Sequence, residues 1–248
     1  MQIGRKVKVP ERWQLGDKSI KNTTCYKYLG EMITNDNKNK TNLEMKENKI
    51  QNTIRQINTT ASSDIMRGIE TKVLLKLFDT SILPSLTNNC ESWTMTKTDE
   101  EQMDKIGIQT MKRLFNLPTT TPSTAIIYSF GLLYMTQLID KKRFMFMHKI
   151  LNRDKEHWTQ KMLYQLREND LGWAKNMMTK LTEYQLETDW EKIRKKTKAE
   201  WKSNVEKAVD EKYKNKLIQN LTTKTTEGTK VNRKTRTIDH TNIHKGTN

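Results

Sequence analysis

The basic side chains of one polar segment are the strongest candidates for chemistry in this sequence. They flank a run of apolar residues at helical spacing and are Lys38, Lys40, Lys46, Lys49 and Arg55. Lys46 and Lys49 are three residues apart and would be neighbours on a helix surface, so the pattern favours charge-based contact with phosphate groups. Glu44 and Glu47 lie among these cations and weaken the field. A solvated helix face is therefore the alternative interpretation.

Other kinds of chemistry are only weakly indicated. The sequence contains no Asp-Asp pair, no Gly-rich phosphate loop and no Gly-x-Ser-x-Gly elbow. His240 and His244 are four residues apart without a nearby third ligand, so a solvated tail is favoured over a metal site. Cys25 and Cys90 are interpreted as small buried residues, and so few cysteines are typical of a reducing intracellular compartment, nucleus or cytoplasm.

Two tryptophans allow two interpretations. Trp190 and Trp201 are eleven residues apart, which places them close to one face of the same predicted helix. Such rings could stack on nucleic-acid bases. They also fit the apolar stripe of that helix, so anchoring in a core or in a protein interface is favoured.

The composition favours helices as the elements that position these side chains. The 248 residues include only 9 glycines and 4 prolines, which argues against a glycine-rich nucleotide fold and a turn-rich β-sandwich. No apolar run approaches the length of a membrane span. The net charge is +16, and residues 141–248 carry +12 of it, with 26 basic and 14 acidic side chains. This excess indicates a polyanionic partner, most often nucleic acid.

The apolar spacing predicts a small β structure followed by a helical bundle. Residues 6–9 alternate, residues 24–33 are extended, and turn residues lie between them, so we predict a β-hairpin or small sheet. Helical stripes follow, one of them stopped by Pro84. Thr98 and Glu101 predict a capping box that opens the next helix. Thr121 is predicted to cap a short helix with Pro122 at its first position.

The C-terminal part is predicted to be helical up to a polar tail. A helix is expected over residues 135–150, and a last long helix is expected to open at Asp189 and carry its apolar stripe from Ile193 to Leu221. Residues 222–248 have few apolar side chains, so a disordered tail is predicted. The expected fold class is mainly α, with a small N-terminal hairpin.

An ordered series of motifs resembles one known family. The series begins with Tyr26-Lys27-Tyr28-Leu29-Gly30 and Leu83-Pro84. It continues with Glu91-Ser92-Trp93-Thr94-Met95-Thr96-Lys97, Asp99-Glu100-Glu101, Met111-Lys112-Arg113-Leu114, Leu117-Pro118 and Thr121-Pro122 before Gly131. Together these resemble the segment after the catalytic palm in endonuclease–reverse transcriptase proteins of non-LTR (LINE-type) retrotransposons. The resemblance covers residues 15–152 and extends more loosely to Ala199-Glu200-Trp201-Lys202.

The resemblance implies a domain organisation. Residues 1–34 would be the end of the palm, 35–116 a helical thumb that holds the template–primer duplex, 117–221 a helical extension and 222–248 a basic tail. The residues that carry the family motif are Tyr28, Leu29, Gly30, Glu91 and Trp93. One departure from the family is Asn88-Asn89-Cys90, which stands where Tyr-Gly usually precedes the Glu-x-Trp motif.

The second departure concerns catalysis. The Asp-Asp motif with which the parent polymerase holds its Mg²⁺ ions is missing from this chain. Two-metal nucleotidyl transfer needs those carboxylates. We therefore expect no cofactor in this chain and no polymerase activity from it alone.

Three hypotheses follow. The first is a truncated RNA-directed DNA polymerase fragment, derived from a transposable element, that binds RNA or RNA–DNA duplex backbones without sequence preference and packs against the missing palm. Its second set of candidate phosphate contacts is Lys112, Arg113, Lys141, Lys142 and Arg143. The second hypothesis is a stand-alone helical adaptor that binds protein through Trp-bearing helix faces. The third, a helix-turn-helix DNA reader, is the least favoured because no compact three-helix unit is recognisable.

Overall fold

The computed structural model describes residues 13–20, 23–60 and 69–226. Over these residues the protein is mainly helical with small N-terminal β-hairpins, which confirms the predicted fold class. The predicted disordered tail begins inside a helix, at residues 222–226, so its predicted start is wrong. The rest of that tail, and the alternating residues 6–9, lie outside the described residues.

The described part of the N-terminal β structure consists of two hairpins, and the extended run predicted over residues 24–33 forms one of them. Strand β1 (Trp13–Leu15) pairs antiparallel with β2 (Lys18–Ile20), and β3 (Cys25–Tyr28) pairs antiparallel with β4 (Glu31–Thr34). The second hairpin turns at Leu29 and Gly30, whose φ angles are 47° and 88°. Positive φ at both central residues is what a two-residue type I′ loop requires. This turn inside the extended run is why the run folds back on itself.

Helices make up the rest of the described chain. They are α1 (Lys40–Thr60), α2 (Thr71–Leu77), α3 (Leu83–Thr87), α4 (Lys97–Leu114), α5 (Ser123–Phe130), α6 (Met135–Leu151), α7 (Trp158–Glu168), α8 (Gly172–Glu183), α9 (Trp190–Lys195) and α10 (Lys198–Thr226). A π-helical turn, Phe78–Ile82, joins α2 to α3, and a 3₁₀ turn, Cys90–Ser92, follows α3.

Pro84 does not end a helix, contrary to the prediction. It lies in the first turn of α3, where a backbone N–H commonly lacks an intrahelical acceptor and the missing donor of proline matters least. The preceding N–H, that of Leu83, donates to the carbonyl of Phe78 and closes the π turn. The helical path therefore continues through Pro84 to Thr87.

The capping box of α4 lies two residues earlier than predicted. Its N-cap is Thr96, whose hydroxyl accepts from the N–H of Asp99 at 3.2 Å, while the Asp99 carboxylate accepts from the N–H of Thr96 at 2.9 Å. The side chain of Asn39 also donates to the Asp99 carboxylate, at 3.0 Å. This contact from the start of α1 adds a tertiary interaction to the Thr96 cap. Helix α5 likewise begins one residue later than predicted, with Pro122 as its N-cap.

The last predicted helix is two helices. Asp189 caps α9 by accepting from the N–H of Glu191 at 2.9 Å. The chain then breaks at Lys196 and Thr197. The Thr197 hydroxyl accepts from the N–H of Glu200 at 3.2 Å, and the Glu200 carboxylate accepts from the N–H of Thr197 at 2.8 Å. Thr197 fits the apolar stripe by spacing, but this capping box makes it a helix start.

Helix α6 contributes to two hydrophobic clusters. Met135 and Ile139 pack with the buried side chains of α1 to α4. Phe144 and Met147 pack with those of α7 to α10, where Trp190 and Trp201 are fully buried. The predicted boundary between residues 116 and 117 stays a prediction.

Helices α4 and α6 approach closely at Gly107. A Cβ atom at this position would overlap Cγ of Met135, so the close approach requires glycine or a shift of Met135.

Candidate nucleic-acid interface

The first cations of the predicted phosphate-binding segment are exposed and close to acids. Lys38 precedes α1 and its ammonium lies 3.7 Å from the carboxylate of Asp36. Lys40, the first residue of α1, lies 3.9 Å from the carboxylate of Glu44 one turn later. Partial neutralisation by these neighbours leaves a weak positive field at the N-terminal end of α1.

Lys46 is not part of an exposed interface, which corrects the prediction. Its side chain is buried, and its ammonium donates to the carbonyl of Asn88 at 2.6 Å. It also lies 3.6 Å from the carboxylate of Glu31 and 5.1 Å from the centroid of the Trp93 ring. These partners come from β4 and from the segment around the 3₁₀ turn, so Lys46 fastens α1 to both. We remove it from the candidate phosphate contacts.

The C-terminal half of α1 takes part in an exposed cationic groove. Arg55 is exposed and donates to the side-chain oxygen of Asn52 at 3.3 Å. Across from it, α4 contributes Lys112 and Arg113. We call this the α1–α4 groove. Its volume is about 590 Å³, and it is lined by Gln51, Ile54, Arg55, Gln109, Lys112, Arg113, Asn116, Leu117 and Thr119.

The α1–α4 groove carries positive charge without compensation from its own walls. Among the described residues that line it, three are cationic and none is acidic. Lys112 is fixed by donating to the carbonyl of Thr119 at 2.6 Å, while Arg113 is exposed at the same helix end. The structure thus brings together Arg55, Lys112 and Arg113 from the two sets predicted by the sequence. Lys49 is exposed on α1 but does not line the groove.

The charge changes sign beyond Gln109. A neighbouring groove that shares this residue is lined by Glu47 and Glu101 as well as Lys105. The acids that the sequence places among the α1 cations therefore lie outside the α1–α4 groove. Their separation from Arg55 could not be read from the sequence, because it depends on how α4 packs against α1.

Lys141 and Lys142 of α6 lie in a second groove. Lys141 pairs with Glu206 of α10 at 2.7 Å, and Lys142 donates to the hydroxyl of Thr87 at 2.6 Å. We call this the α6 groove, and its volume is about 1070 Å³. It is lined by Leu83, Thr87, Glu91, Leu138, Lys141, Lys142, Met145, Phe146, His148, Lys149, Asn152, Lys196, Thr197 and Lys198.

Arg143 is a second correction. Its side chain is fully buried, and its guanidinium pairs with the carboxylate of Asp140 at 3.3 Å and also donates to Asn176 of α8. The carboxylate of Asp140 also accepts from the phenol of Tyr184 at 3.0 Å and lies 3.6 Å from the ammonium of Lys180. A fully buried cation cannot reach a phosphate, so Arg143 is a structural residue.

The directions of the pKa shifts at Lys180 and Tyr184 are consistent with a structural role for this buried network. Burial by itself lowers the pKa of Lys180, but Asp140 and Glu100 outweigh it and raise the pKa above its ordinary value. For Tyr184, burial has the opposite sign and raises the pKa far above its ordinary value, and the charge of Asp140 raises it further. Lys180 therefore stays charged and Tyr184 stays protonated near neutral pH, as a structural network that joins α6 to α8 requires.

The residues of the family motif lie at two places. Tyr28, Leu29 and Gly30 form the exposed tip of the β3–β4 hairpin. Trp93 is buried beneath Lys46, and the backbone carbonyl of Glu91 accepts from the indole N–H of Trp173 at 2.9 Å. Trp93 and the backbone of Glu91 therefore hold other elements in place.

The two tryptophans of the C-terminal stripe point inward, whereas Trp158 at the start of α7 is exposed. Trp190 and Trp201 are both fully buried, which confirms core anchoring over base stacking. Trp201 donates from its indole N–H to the carbonyl of Phe144 at 3.0 Å. An adaptor would therefore need a surface other than these two rings.

The remaining candidates add no site. Cys90 is buried as predicted, and this burial raises the pKa of its thiol to about 12. The described ranges hold no group of three or more His, Cys, Asp or Glu side chains placed to bind a metal ion. His240 and His244 lie outside these ranges. None of the helices within the described ranges combines the length and apolar content that crossing a bilayer needs.

Sequence reasoning missed several lysines that the fold collects. Lys149 lines the α6 groove two turns beyond Lys142, Lys196 lines it from the break before α10, and Lys198 lines it from the first residue of α10. The spacing of seven residues between Lys142 and Lys149 signals a shared helix face. Nothing local in the sequence signals that the break before α10 packs beside that face.

No known protein family matches this chain, and neither a curated protein nor a solved structure is significantly similar to it.

Proposed function

We propose that this chain corresponds to the palm end, thumb and post-thumb region of a non-LTR retrotransposon reverse transcriptase. In this proposal it binds the backbone of an RNA–DNA duplex, without sequence preference, through the α1–α4 groove. The observation that carries the binding is the juxtaposition of Arg55, Lys112 and Arg113 in a groove whose described lining includes no acid. The ordered motifs of the sequence carry the family.

The backbone at two motif positions supports the family resemblance. The Tyr-Leu-Gly motif ends in a turn where Gly30 has φ of 88°, a conformation that glycine adopts without steric cost. Asn89, within the trio that replaces the usual Tyr-Gly, has φ of 59°. Asparagine is among the few non-glycine residues that tolerate this left-handed conformation. Asn89, from the segment that replaces the usual Tyr-Gly, therefore has a left-handed backbone conformation of the kind that glycine most readily adopts.

The chemistry of the groove suits a sugar–phosphate backbone. Guanidinium groups bind phosphate oxygens through paired N–H donors, and the neutral amides of Gln51, Gln109 and Asn116 add donors without adding negative charge. Each neutralised phosphate releases condensed counterions. Three such contacts predict that log K falls with log salt with a slope of about −2.7.

The experiment is a salt series on the intact chain. Fluorescence anisotropy of a labelled RNA–DNA hybrid duplex, titrated at about 50 to 300 mM salt, should show binding that weakens steadily as salt rises. Binding that is absent at low salt, or that does not change with salt, would contradict the proposal.

Two charge-removing variants locate the contacts. Arg55→Gln and Arg113→Gln should each reduce the magnitude of the salt slope by about 1, because each removes one phosphate contact. Lys72→Gln is the matched control, since Lys72 is exposed on α2 and lines neither groove. If Lys72→Gln weakens binding as much as Arg55→Gln does, the contact is spread over the whole surface and the groove is not the interface.

The proposed function also predicts that this chain alone does not catalyse nucleotide addition. Because the chain contains no Asp-Asp pair to hold catalytic metal ions, we expect no primer extension by this chain alone in the presence of Mg²⁺ and nucleoside triphosphates. Extension of a labelled primer would show that the thumb assignment is wrong.

A further inference from the structure

The α6 groove follows one open face of a helix that is buried on its other sides. Most of its lining residues along α6 lie three or four positions from another one. They are Leu138, Lys141, Lys142, Met145, Phe146, His148 and Lys149, followed by Asn152 just beyond the helix end. From Leu138 to Asn152 this face is about 21 Å long, at 1.5 Å per residue. The groove thus presents about four helical turns of α6 to solvent.

The floor and the rim of the α6 groove differ in chemistry. Leu138, Met145 and Phe146 of α6, with Leu83 of α3, give it an apolar floor of half-buried side chains. Its lysines are Lys141, Lys142 and Lys149 of α6, Lys196 in the break before α10 and Lys198 at the start of α10. An apolar seam bordered by charge is the feature that helix-in-groove recognition uses.

The charge on the rim is strongly biased. Five lysines line the groove, and among its described lining residues Glu91 is the single acid. Lys141 and Lys142 are held at the rim by Glu206 and Thr87, and the ammonium of Lys196 lies 5.7 Å from the centroid of the Trp201 ring. Lys149 and Lys198 are exposed. These cations favour an occupant that carries carboxylates beside an apolar stripe.

We propose that the α6 groove binds an acidic amphipathic helix of about four turns from a protein partner. Its apolar residues would cover the seam of Leu138 and Met145, and its carboxylates would face Lys149 and Lys198. This inference does not depend on the nucleic-acid function proposed above, because the two grooves share no residue.

A protein helix fits the floor better than a nucleic-acid strand. Bases bind proteins by stacking on aromatic faces, but the two aromatic rings that line the groove are already engaged. Phe146 lies edge to face with Trp173 at a centroid distance of 5.9 Å, and the buried imidazole of His148 stacks on Trp201. A sugar–phosphate backbone would leave the aliphatic side chains of the floor uncovered. The lysines also disfavour a basic segment as the occupant.

The test uses the intact chain and two designed peptides. A fluorescein-labelled peptide of about 18 residues, with leucines at heptad a and d positions and glutamates beside them, supplies the required surface. A second peptide carries lysine in place of each glutamate. In anisotropy titrations the acidic peptide should bind saturably and at least about tenfold more tightly than the basic one, because the rim favours the opposite charge. Equal affinities, or no binding of the acidic peptide, would overturn the proposal.

Groove variants locate the contact. Lys149→Glu combined with Lys198→Glu should weaken the acidic peptide about tenfold or more, and Met145→Gln should weaken it about threefold by adding polarity to the floor. The control is Lys214→Glu, which changes an exposed lysine of α10 outside the groove. A thermal melt of each variant checks folding. Equal loss in the Lys214→Glu control, or an unchanged affinity of the Met145→Gln variant, would overturn the groove as the docking site.

A competition experiment with nucleic acid decides between a protein helix and a nucleic-acid strand as the occupant of the groove. Single-stranded oligothymidylate is added to the complex with the acidic peptide. The proposal is overturned, and the groove is assigned to nucleic acid, if the oligonucleotide displaces the peptide and if its own binding is lost in the Lys149→Glu/Lys198→Glu variant. Oligothymidylate that leaves the peptide bound supports it.

Discussion

The α1–α4 groove and the α6 groove both collect cations from separate elements, but the surfaces between those cations differ. Between Arg55 and Arg113 the lining includes three amides and one hydroxyl, from Gln51, Gln109, Asn116 and Thr119, beside Ile54 and Leu117. Between Lys142 and Lys198 it includes leucine, methionine and phenylalanine side chains. Positive charge over polar lining suits a hydrated phosphate backbone, whereas positive charge around an apolar seam suits a helix that brings its own apolar face.

The two grooves also differ in the hydrophobic clusters that they border. The α1–α4 groove lies over the cluster built from α1 to α4, and Ile54 of that cluster lines it. The α6 groove borders both clusters, because Leu83 and Leu138 pack against that same cluster, whereas Met145 and Phe146 pack against the cluster that α6 forms with α7 to α10. Lys46 and Arg143 belong to the same predicted sets as the cations that line the grooves, but they are buried inside the protein. The comparison therefore separates cations that hold the fold from cations that a partner can reach.

The largest expected effect comes from removing Asp140, the buried acid of α6 that pairs with Arg143. Asp140→Ala leaves the fully buried Arg143 without its carboxylate, and we expect the free energy of unfolding to fall by about 3–5 kcal/mol. Urea denaturation measures this. The control is Glu156→Ala, which removes an exposed partner of Lys161 and should cost less than about 1 kcal/mol. A loss for Asp140→Ala as small as that of the control would show that the network is not structural.

A smaller effect is expected where the α1–α4 cluster meets α6. Gly107→Ala would force its new methyl group against Met135, and we expect a loss of about 1–2 kcal/mol after the better helix propensity of alanine is subtracted. Thermal and urea unfolding measure it. The double variant with Met135→Ala should recover part of the loss caused by Gly107→Ala, relative to Met135→Ala alone. Without that coupling, the steric explanation fails.

The comparison itself is tested by a reciprocal experiment. The Arg55→Gln/Arg113→Gln variant should weaken duplex binding about tenfold at low salt and leave the acidic peptide unaffected, while Lys149→Glu/Lys198→Glu should do the reverse. Both ligands are measured by anisotropy on both variants. If each pair of substitutions weakens both ligands equally, the grooves act as one diffuse basic surface and the distinction between them is wrong.

The smallest expected effect is a pH dependence of stability that comes from Glu183 of α8. Partial burial by itself raises the pKa of Glu183, but hydrogen bonds and charge from Lys212 and Lys180 outweigh it and lower the pKa below its ordinary value of 4.5. A carboxylate with a lowered pKa stabilises the fold above pH 4.5, and this contribution is lost as the pH falls through the folded-state value. Because Glu183 is partly exposed, we expect less than about 1 kcal/mol.

Glu183→Gln isolates that contribution. Its stability deficit relative to the unsubstituted protein should be present at pH 7 and should shrink as urea denaturation is repeated below about pH 4.5. A deficit that stays constant with pH would mean that lost packing, and not lost charge, explains it.

The sequence predicted the fold well where local signals decide structure. The helical spacing of Leu43, Ile50, Ile54 and Ile57 predicts the inward face of α1, where the first three are buried and Ile57 is half-buried. Capping residues located helix starts to within two residues, although Thr96 and not Thr98 caps α4. Pro84 misled the prediction, because its effect depends on whether a π turn precedes it.

The sequence by itself determined the helical class, most helix positions and the surplus of positive charge, since these depend on residue types and on spacings of three or four. The tertiary structure decided which cations are available. Lys46 and Lys49 are one turn apart, yet Lys46 is buried because Glu31, Asn88 and Trp93 converge on it from other elements. Arg55 and Arg113 are 58 positions apart in the sequence, yet they line one groove because α4 packs against α1. Such partners are distant along the chain, so no local pattern reveals them.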